Sequence, residues 1–515
     1  MQKLLYLTCL FIGQRLYAQL PEDALRAAWT TPSGTARQQA IGGAMGSLGG
    51  EISSNFVNPA GLGLYRTNEI VLTPGLKFLL NKSKYLGANT QAGNISNFNL
   101  GTSGGVLSLG GDNNTNGVFS IAVNRTAGFN GHIHYKGQNN YSSASEQYAE
   151  EFSRSGYPID SALASPFFTY GTRSALYTYL VDTATINGIP QVISRAQLAG
   201  LLNQENDLRT SGGITEIALS AAAGLEGKWY IGGSLGIPIM SYTRTQTYRE
   251  SDATGNAHND FNSYTYTEKY TSKGVGLNAK LGVIFRPTKA WRVGLAVHTP
   301  SVIALKDKIH TSMTSSLEDF SKDQQITSDE FDAFTVPANS VKYRIYTPWR
   351  VIASGSYIFG GGEANVKAQK GFITADLEYV TTRSTHFKPP APEDDEDPTA
   401  PDNYYDAVNS AIKDIYKNYV SLRLGGEMKF NTFFARAGGA YYTNPYQNSK
   451  ELKADKLFLT AGTGYRNAGI FFDLAVVLQF TRDVNFPYLL SDKNNVVATL
   501  KETGTTLVAT VGFKF

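Results

Sequence analysis

Apolar and polar residues alternate with a period of two over long stretches of this sequence. Val420, Leu422, Leu424, Met428 and Phe430 interleave with Ser421, Arg423, Glu427 and Lys429. Phe472, Leu474, Val476, Leu478 and Phe480 share one face, and Asp473, Gln479, Thr481 and Asp483 take the other. The same holds for Val275, Leu277, Leu281, Val283 and Phe285, and for Ile373, Ala375, Leu377 and Tyr379. Such alternation predicts strands with one apolar and one polar face. Globular strands run about five or six residues, whereas these run about ten or more, the length that crosses a bilayer. About fourteen such segments follow one another, the first near 68–81 and the last at 495–515.

The connections sort by parity. The even gaps are mostly tight: 112–116, Glu226-Gly227, 287–289, Asn431 and Asn467-Ala468, with only 360–369 looser. The odd gaps include the long ones, 137–211, 311–339 and 388–417. Short turns at one end and long loops at the other, with an even strand number, are the arrangement of outer-membrane barrels. The pattern therefore predicts an all-β fold, a transmembrane antiparallel β-barrel spanning 68–515, apolar outside and polar inside.

Composition agrees. The chain has 515 residues with 51 Gly, 30 Tyr and 27 Phe, and only 17% of it is charged, against about 25% in soluble domains. No run of 18 apolar residues occurs, which argues against helical spans. Hydrophobic content of 42% with a net charge of +3 excludes disorder and gives no reason to invoke nucleic acid. At the start, Lys3, the apolar run 4–12 and Leu16-Tyr17-Ala18 read as a signal peptide over 1–18. Its removal takes away the single Cys, so neither a disulfide nor a thiolate site is expected in the mature chain. The final segment alternates Leu507, Ala509, Val511 and Phe513 and closes on Phe515. That ending resembles the signal by which barrel-assembly machinery takes up outer-membrane strands.

Residues 19–67 precede the first strand and include the small-residue run 36–46 and then Asn58-Pro59-Ala60-Gly61. Pro59 fixes its own φ and lacks an N–H, and Asn58 is suited to satisfying nearby backbone groups. This arrangement resembles the N-terminal hatch of the long-chain fatty acid and aromatic hydrocarbon transporters of the outer membrane (FadL/TodX-like). The resemblance implies a helical plug over 19–67 inside a fourteen-stranded barrel, both termini in the periplasm of a Gram-negative cell. It implies a monomer among outer-membrane lipids that takes up hydrophobic small molecules passively, by loop capture, hatch movement and lateral exit, without catalysis or cofactor.

In that family ligand leaves through the wall at a kink in the third strand. Here Gly128 and Gly131 bracket Phe129-Asn130; strand glycines mark bulges or ordinary barrel curvature. Arg125 falls on the apolar parity, a conflict that an inserted bulge or an interfacial position removes. The loop 137–211 contains helix-like pieces at 145–154 and 195–203. It also carries Leu163, Phe167, Phe168, Tyr170, Tyr177 and Leu180, an apolar set that fits ligand capture or the packing of the loop on itself.

Other chemistry is weakly signalled. Gly101-Thr102-Ser103-Gly104-Gly105 matches G-x-S-x-G, but that motif needs a strand-to-helix elbow and here lies in a strand. His310 and Ser312 share a face with no acid assignable beside them. His132 and His134 are too few to specify a metal, and the acidic run 393–397 lacks the ligand spacing of an EF-hand. Two alternatives stay open: a scaffold or shuttle for secreted proteins, and a haem or porphyrin receptor, for which only the histidine pair speaks.

Overall fold

The computed structural model describes residues 21–28, 30–110, 115–332, 340–360, 369–390, 402–449 and 452–515. The signal segment 1–18 and the acidic run 393–397 lie outside them. The protein is a closed antiparallel barrel of fourteen strands. Some strands are interrupted, so each is given by its segments. They are β1 (Glu69–Leu72 and Pro74–Tyr85), β2 (Ile95–Leu100 and Ser103–Ser108), β3 (Thr115–Gly128 and Gly131–Asn139), β4 (Leu202–Leu225) and β5 (Trp229–Asp252). Next come β6 (Ser263–Phe285), β7 (Trp291–His298 and Val302–Ser316), β8 (Ser340–Tyr346 and Arg350–Phe359) and β9 (Gly371–Val380 and His386–Lys388). The circuit ends with β10 (Tyr419–Phe430), β11 (Phe433–Tyr442), β12 (Lys456–Asn467), β13 (Ile470–Asn485) and β14 (Ala498–Lys514). β1 pairs back onto β14, Glu69 opposite Lys514 and Gly75 opposite Val508, which closes the ladder.

The alternation reads out as expected. Phe472, Leu474, Val476, Leu478 and Phe480 are exposed on the outer wall, and Asp473 and Gln479 are buried inside. Aromatic pairs ring the short-turn end: Trp229 stacks on Phe285 at 4.3 Å and Trp291 lies 4.9 Å from Tyr357. They form the girdle typical of such barrels. Among the described residues no helix is long and apolar enough to cross a membrane.

β4, β5 and β6 have 24, 24 and 23 residues, about twice what a bilayer needs. The fourth strand therefore begins at Leu202, not near 212, and the long connection is 140–201. Apart from the buried Leu202 and Leu208, residues 202–211 are polar on both faces, because above the bilayer those faces meet either water or the cap. The cap comprises α3 (Ser145–Ser155), α4 (Ile159–Ala164), α5 (Tyr170–Tyr177) and α6 (Arg195–Leu198), with a hairpin over 181–194. The helix expected over 195–203 thus stops at 198, where the chain turns into β4.

Residues 30–67 and helices α7 (Pro21–Ala28) and α8 (Ala36–Ala40) fill the lumen. Wall and hatch fit by exclusion of side chains. A Cβ on Gly438 would come within 2.4 Å of Ile41 C, and one on Gly425 within 2.3 Å of Ile41 O. Gly42, at φ +67°, presses on Gly439 so closely that only glycine fits the turn. Gly438→Val is therefore expected to destabilise the barrel by about 3 kcal/mol through overpacking. Gly355→Val, where nothing lies within 4 Å of the added atom, serves as the neutral control. The urea midpoint of each variant, read from the heat-modifiable band on gels, checks this.

Candidate functional site

The Asn-Pro-Ala-Gly segment is the keel of the hatch. Asn58 caps the 3-10 turn Pro59–Leu64, its Oδ1 accepting from Ala60 N at 3.2 Å. Its Nδ2 donates to Gly46 O at 2.6 Å and also reaches Val283 O of β6 at 3.3 Å. One side chain thus ties hatch to hatch and hatch to wall. The wall makes room with glycine: a Cβ on Gly282 would overlap Asn58 Oδ1, and one on Gly232 would come within 2.5 Å of Pro59. Ala60 is fully buried against Tyr230 and Ile284, and Gly61 O accepts from Gly50 N at 2.8 Å.

On the opposite wall the hatch is held by charge. Arg37 makes two hydrogen bonds to Glu427, at 2.9 and 3.1 Å. Glu427 also accepts from Arg436 at 2.6 Å, and Arg436 bonds Asp473 at 2.6 Å. Asp376 accepts from the backbone of Met45 and Gly46 at 2.8 and 3.0 Å. Each carboxylate has several donors, as buried charge requires.

Above the keel the lumen turns apolar. Ile214, Met240, Tyr242, Tyr270 and Ile303 line it, with Ala24 and Ala27 of α7 packed into the same cluster. Arg26 stacks on Tyr242 at 3.7 Å and pairs with Asp23. The helix Asp402–Ile415 closes this space from the long loop after β9, contributing Tyr405, Val408 and Ile412.

Beside this cluster the wall is interrupted. The segment Ser103–Ser108 of β2 pairs with both neighbours, up to Ser103 opposite Val123. Higher up, Ile95–Leu100 pairs only with β1, and residues 124–128 of β3 pair only with β4. Tyr85 and Tyr135, with ring centroids 4.8 Å apart, join β1 to β3 above the break. Between these limits two strand edges face each other without a ladder. Gly128 and Gly131 flank the interruption of β3, Phe129 N donates to Gly212 O at 2.9 Å, and the Phe129 ring meets Tyr242 edge-on at 5.7 Å. Asn130 Oδ1 accepts from Gly212 N at 3.3 Å. A register shift at Ile214/Thr215 makes Thr126 the extra residue; Arg125, before it, stays on the parity of the exposed Phe119 and Ile121 and bonds Gly212 O. The missing ladder on β2 had no signal in the sequence.

The loop aromatics divide. Phe168, Tyr170 and Leu180 are buried in the core of the cap, Leu163 packs against it, and only Phe167 and Tyr177 are exposed. The histidines are engaged as well: His132 bonds Asp207 and His134 bonds Glu205, each at 2.8 Å across the β3–β4 pair. Ser103 sits at the start of a strand segment, bonded to Thr73 N and Gly101 O, and forms no elbow. Beside His310 the structure places an acid the sequence did not assign: Asp329 reaches its Nδ1 at 3.2 Å, and Ser328 the same ring nitrogen at 3.4 Å.

Glu151 organises the cap, accepting from Thr169 N, Thr169 Oγ1 and Thr172 Oγ1 at 2.9, 2.7 and 2.5 Å. Burial outweighs these bonds and holds its carboxyl above the ordinary value of 4.5. A raised folded value contributes stability that is full below pH 4.5 and lost as pH rises through the folded value. Limited proteolysis within 140–201 is therefore expected to be slower at pH 5 than at pH 8, and Glu151→Gln to flatten that difference.

No family model and no curated protein matches this sequence. Solved structures do. A FadL homologue of Pseudomonas aeruginosa superposes with a TM-score of 0.56 at 13% identity, covering 95% of this chain and 100% of that one. The P. putida toluene transporter TodX gives 0.50 at 12% identity, covering 95% and 99%. A TodX monoaromatic hydrocarbon channel deltaS2 mutant gives 0.51 at 12%, covering 95% and 100%. By fold, this chain is a hatch-plugged, fourteen-stranded barrel of the FadL/TodX type.

Proposed function

We propose that the protein is a passive channel through which hydrophobic small molecules cross the outer membrane of a Gram-negative bacterium, with both termini in the periplasm. The observation that carries this reading is the unladdered stretch between β2 and β3, set beside an apolar lumen cluster that the chain's own α7 fills. Likeness of fold to a FadL homologue and to a toluene transporter supports it. On this reading ligand collects at the cap, where Phe167 and Tyr177 are exposed, and burial of its apolar surface at about 25 cal/mol per Å² drives entry. It then displaces α7 from Ile214, Met240 and Tyr242 and leaves sideways past residues 128–131 into the bilayer. No step in this route consumes a nucleotide or a gradient; the ligand moves down its own concentration difference.

Bridging the two free edges tests the route. Asn99→Cys and Thr126→Cys place thiols on β2 and β3, and the only native Cys is Cys9, in the proposed signal segment. A bifunctional methanethiosulfonate should lower uptake of radiolabelled palmitate and hexadecane into proteoliposomes about tenfold or more, by analogy with the loss of one obligatory step. Reductant should restore it. Uptake that is unchanged by the bridge rejects lateral exit.

A further inference from the structure

At the long-loop rim of the outer wall, β3 and β4 set charges of opposite sign against each other. Lys136 stands opposite Glu205, and His134 opposite Asp207. Across β13, β14 and β1 the signs agree instead. Arg482 stands directly opposite Lys501, and Lys501 directly opposite Lys82. All three are exposed, and Lys84, also exposed, follows on the same face of β1. Residues so opposed have Cβ atoms about 5 Å apart, and like charges there destabilise a sheet. Nearby acids do not relieve the row. Glu502 points into the lumen, where it accepts from Gln479 at 2.7 Å. Asp455, whose carbonyl oxygen accepts from Arg482 N at 3.4 Å, lies past the end of the row. Among the described residues no carboxylate pairs with Lys82, Arg482 or Lys501.

The row borders the apolar belt. One step lower on the same face Phe480, Thr503 and Leu80 stand in register, then Leu478, Thr505 and Phe78. Phe480, Leu478 and Phe78 are exposed to the surroundings of the wall. Lysine and arginine at such a boundary lift their heads to the membrane surface while their stems lie on hydrocarbon. An occupant that relieves the repulsion must be anionic, reach three strands at once, and offer apolar chains to the belt beneath. Phosphate oxygens take hydrogen bonds from a guanidinium and from ammonium groups together. A phosphodiester of ethanolamine brings its own cation and gives no net relief, whereas a phosphomonoester carries none. We infer that β13, β14 and β1 form a docking surface for a lipid with a phosphomonoester head, in the leaflet at the long-loop end. The phosphate lies over Lys501, between Lys82 and Arg482, and the acyl chains run down past Phe480 and Phe78. Such a lipid is part of the wall's setting and not its cargo.

Full-length protein in a non-ionic detergent is titrated with diphosphoryl lipid A and with the same lipid A stripped of its phosphates, binding being followed by thermophoresis. The phosphorylated form is expected to bind about tenfold or more tightly, and the gap to shrink at about 0.5 M salt. The triple variant K82Q/R482Q/K501Q should cut the preference to about threefold or less, and K82R/R482K/K501R should keep it. Lys322→Gln, an exposed lysine of the loop after β7, should leave it unchanged. Without lipid, the glutamine variant is expected to show a urea midpoint equal to or above that of the parent, since like charges have been removed. A lower midpoint makes the row a structural element and overturns the assignment. So does equal binding of the two lipids, or a preference that survives the triple substitution. Inorganic phosphate that displaces the lipid at equal concentration makes this an ion site and overturns the lipid. Should the triple variant lack the heat-modifiable form, Lys501→Gln at the centre of the row carries the test, with about a threefold loss expected. None of these outcomes bears on uptake, which the thiol bridge tests.

Discussion

Everything in this molecule depends on the closure of the backbone ladder from β1 to β14. In hydrocarbon an unpaired N–H or C=O costs several kcal/mol, so a wall of strands survives only as a ring without edges. Closure at fourteen strands leaves a lumen too wide for the wall's own side chains to fill. A plug follows from that width. Its own backbone must then be satisfied where water is scarce, and the wall supplies the partners. Thr510 accepts from Ala36 N at 2.8 Å, Thr460 from Gly42 N at 3.0 Å, and Asp376 takes two more amides. Against this background the unladdered edges of β2 and β3 stand out, because they give up pairing where the rest of the sheet keeps it.

The hatch is held in two different ways on its two sides. Toward β10–β13 it is joined by charge, through Arg37, Glu427, Arg436 and Asp473. Toward β5 and β6 it is joined by shape, through Asn58 and Pro59 seated over Gly232 and Gly282. Breaking a buried ion pair by removing one partner costs about 3–5 kcal/mol, and shape complementarity of this closeness resists displacement in any direction. These lower contacts make a poor moving part. The upper segment is different: α7 is held by the stacking of Arg26 on Tyr242 and by bonds from Arg350 to Ala28 O and Thr30. Such contacts are stacking and single hydrogen bonds, without the close backbone fit of the lower hatch.

Much of the barrel was legible because its physics is one-dimensional. Lipid outside and polar lumen inside impose a period of two, and Phe472 to Phe480 carry it without interruption. The pattern fades where one of the two environments ends. Residues 202–211 read as loop since water or cap faces both sides of the strand there, and Phe168, Tyr170 and Leu180 left capture and self-packing both open since nothing local marks a second core. The hatch motif was legible through Asn58 and Pro59, whose backbone behaviour is intrinsic. The ion pairs of the lumen were not. Glu216, Lys280, Glu378 and Arg423 each look like ordinary lumen-facing residues, and only the register across strands reveals which charges cancel.

That register also bears on how selectivity would arise in the proposed channel. An apolar pocket discriminates weakly among greasy ligands, because one methylene more or less is worth about 1–3 kcal/mol. A site with fixed hydrogen-bonding atoms rejects the wrong partner far more strongly, since those atoms are then left buried and unpaired. Charges that cancel among themselves, as Lys280 with Glu216 and Arg350 with Glu378 do, contribute little attraction but keep the lumen beside them polar and its geometry fixed.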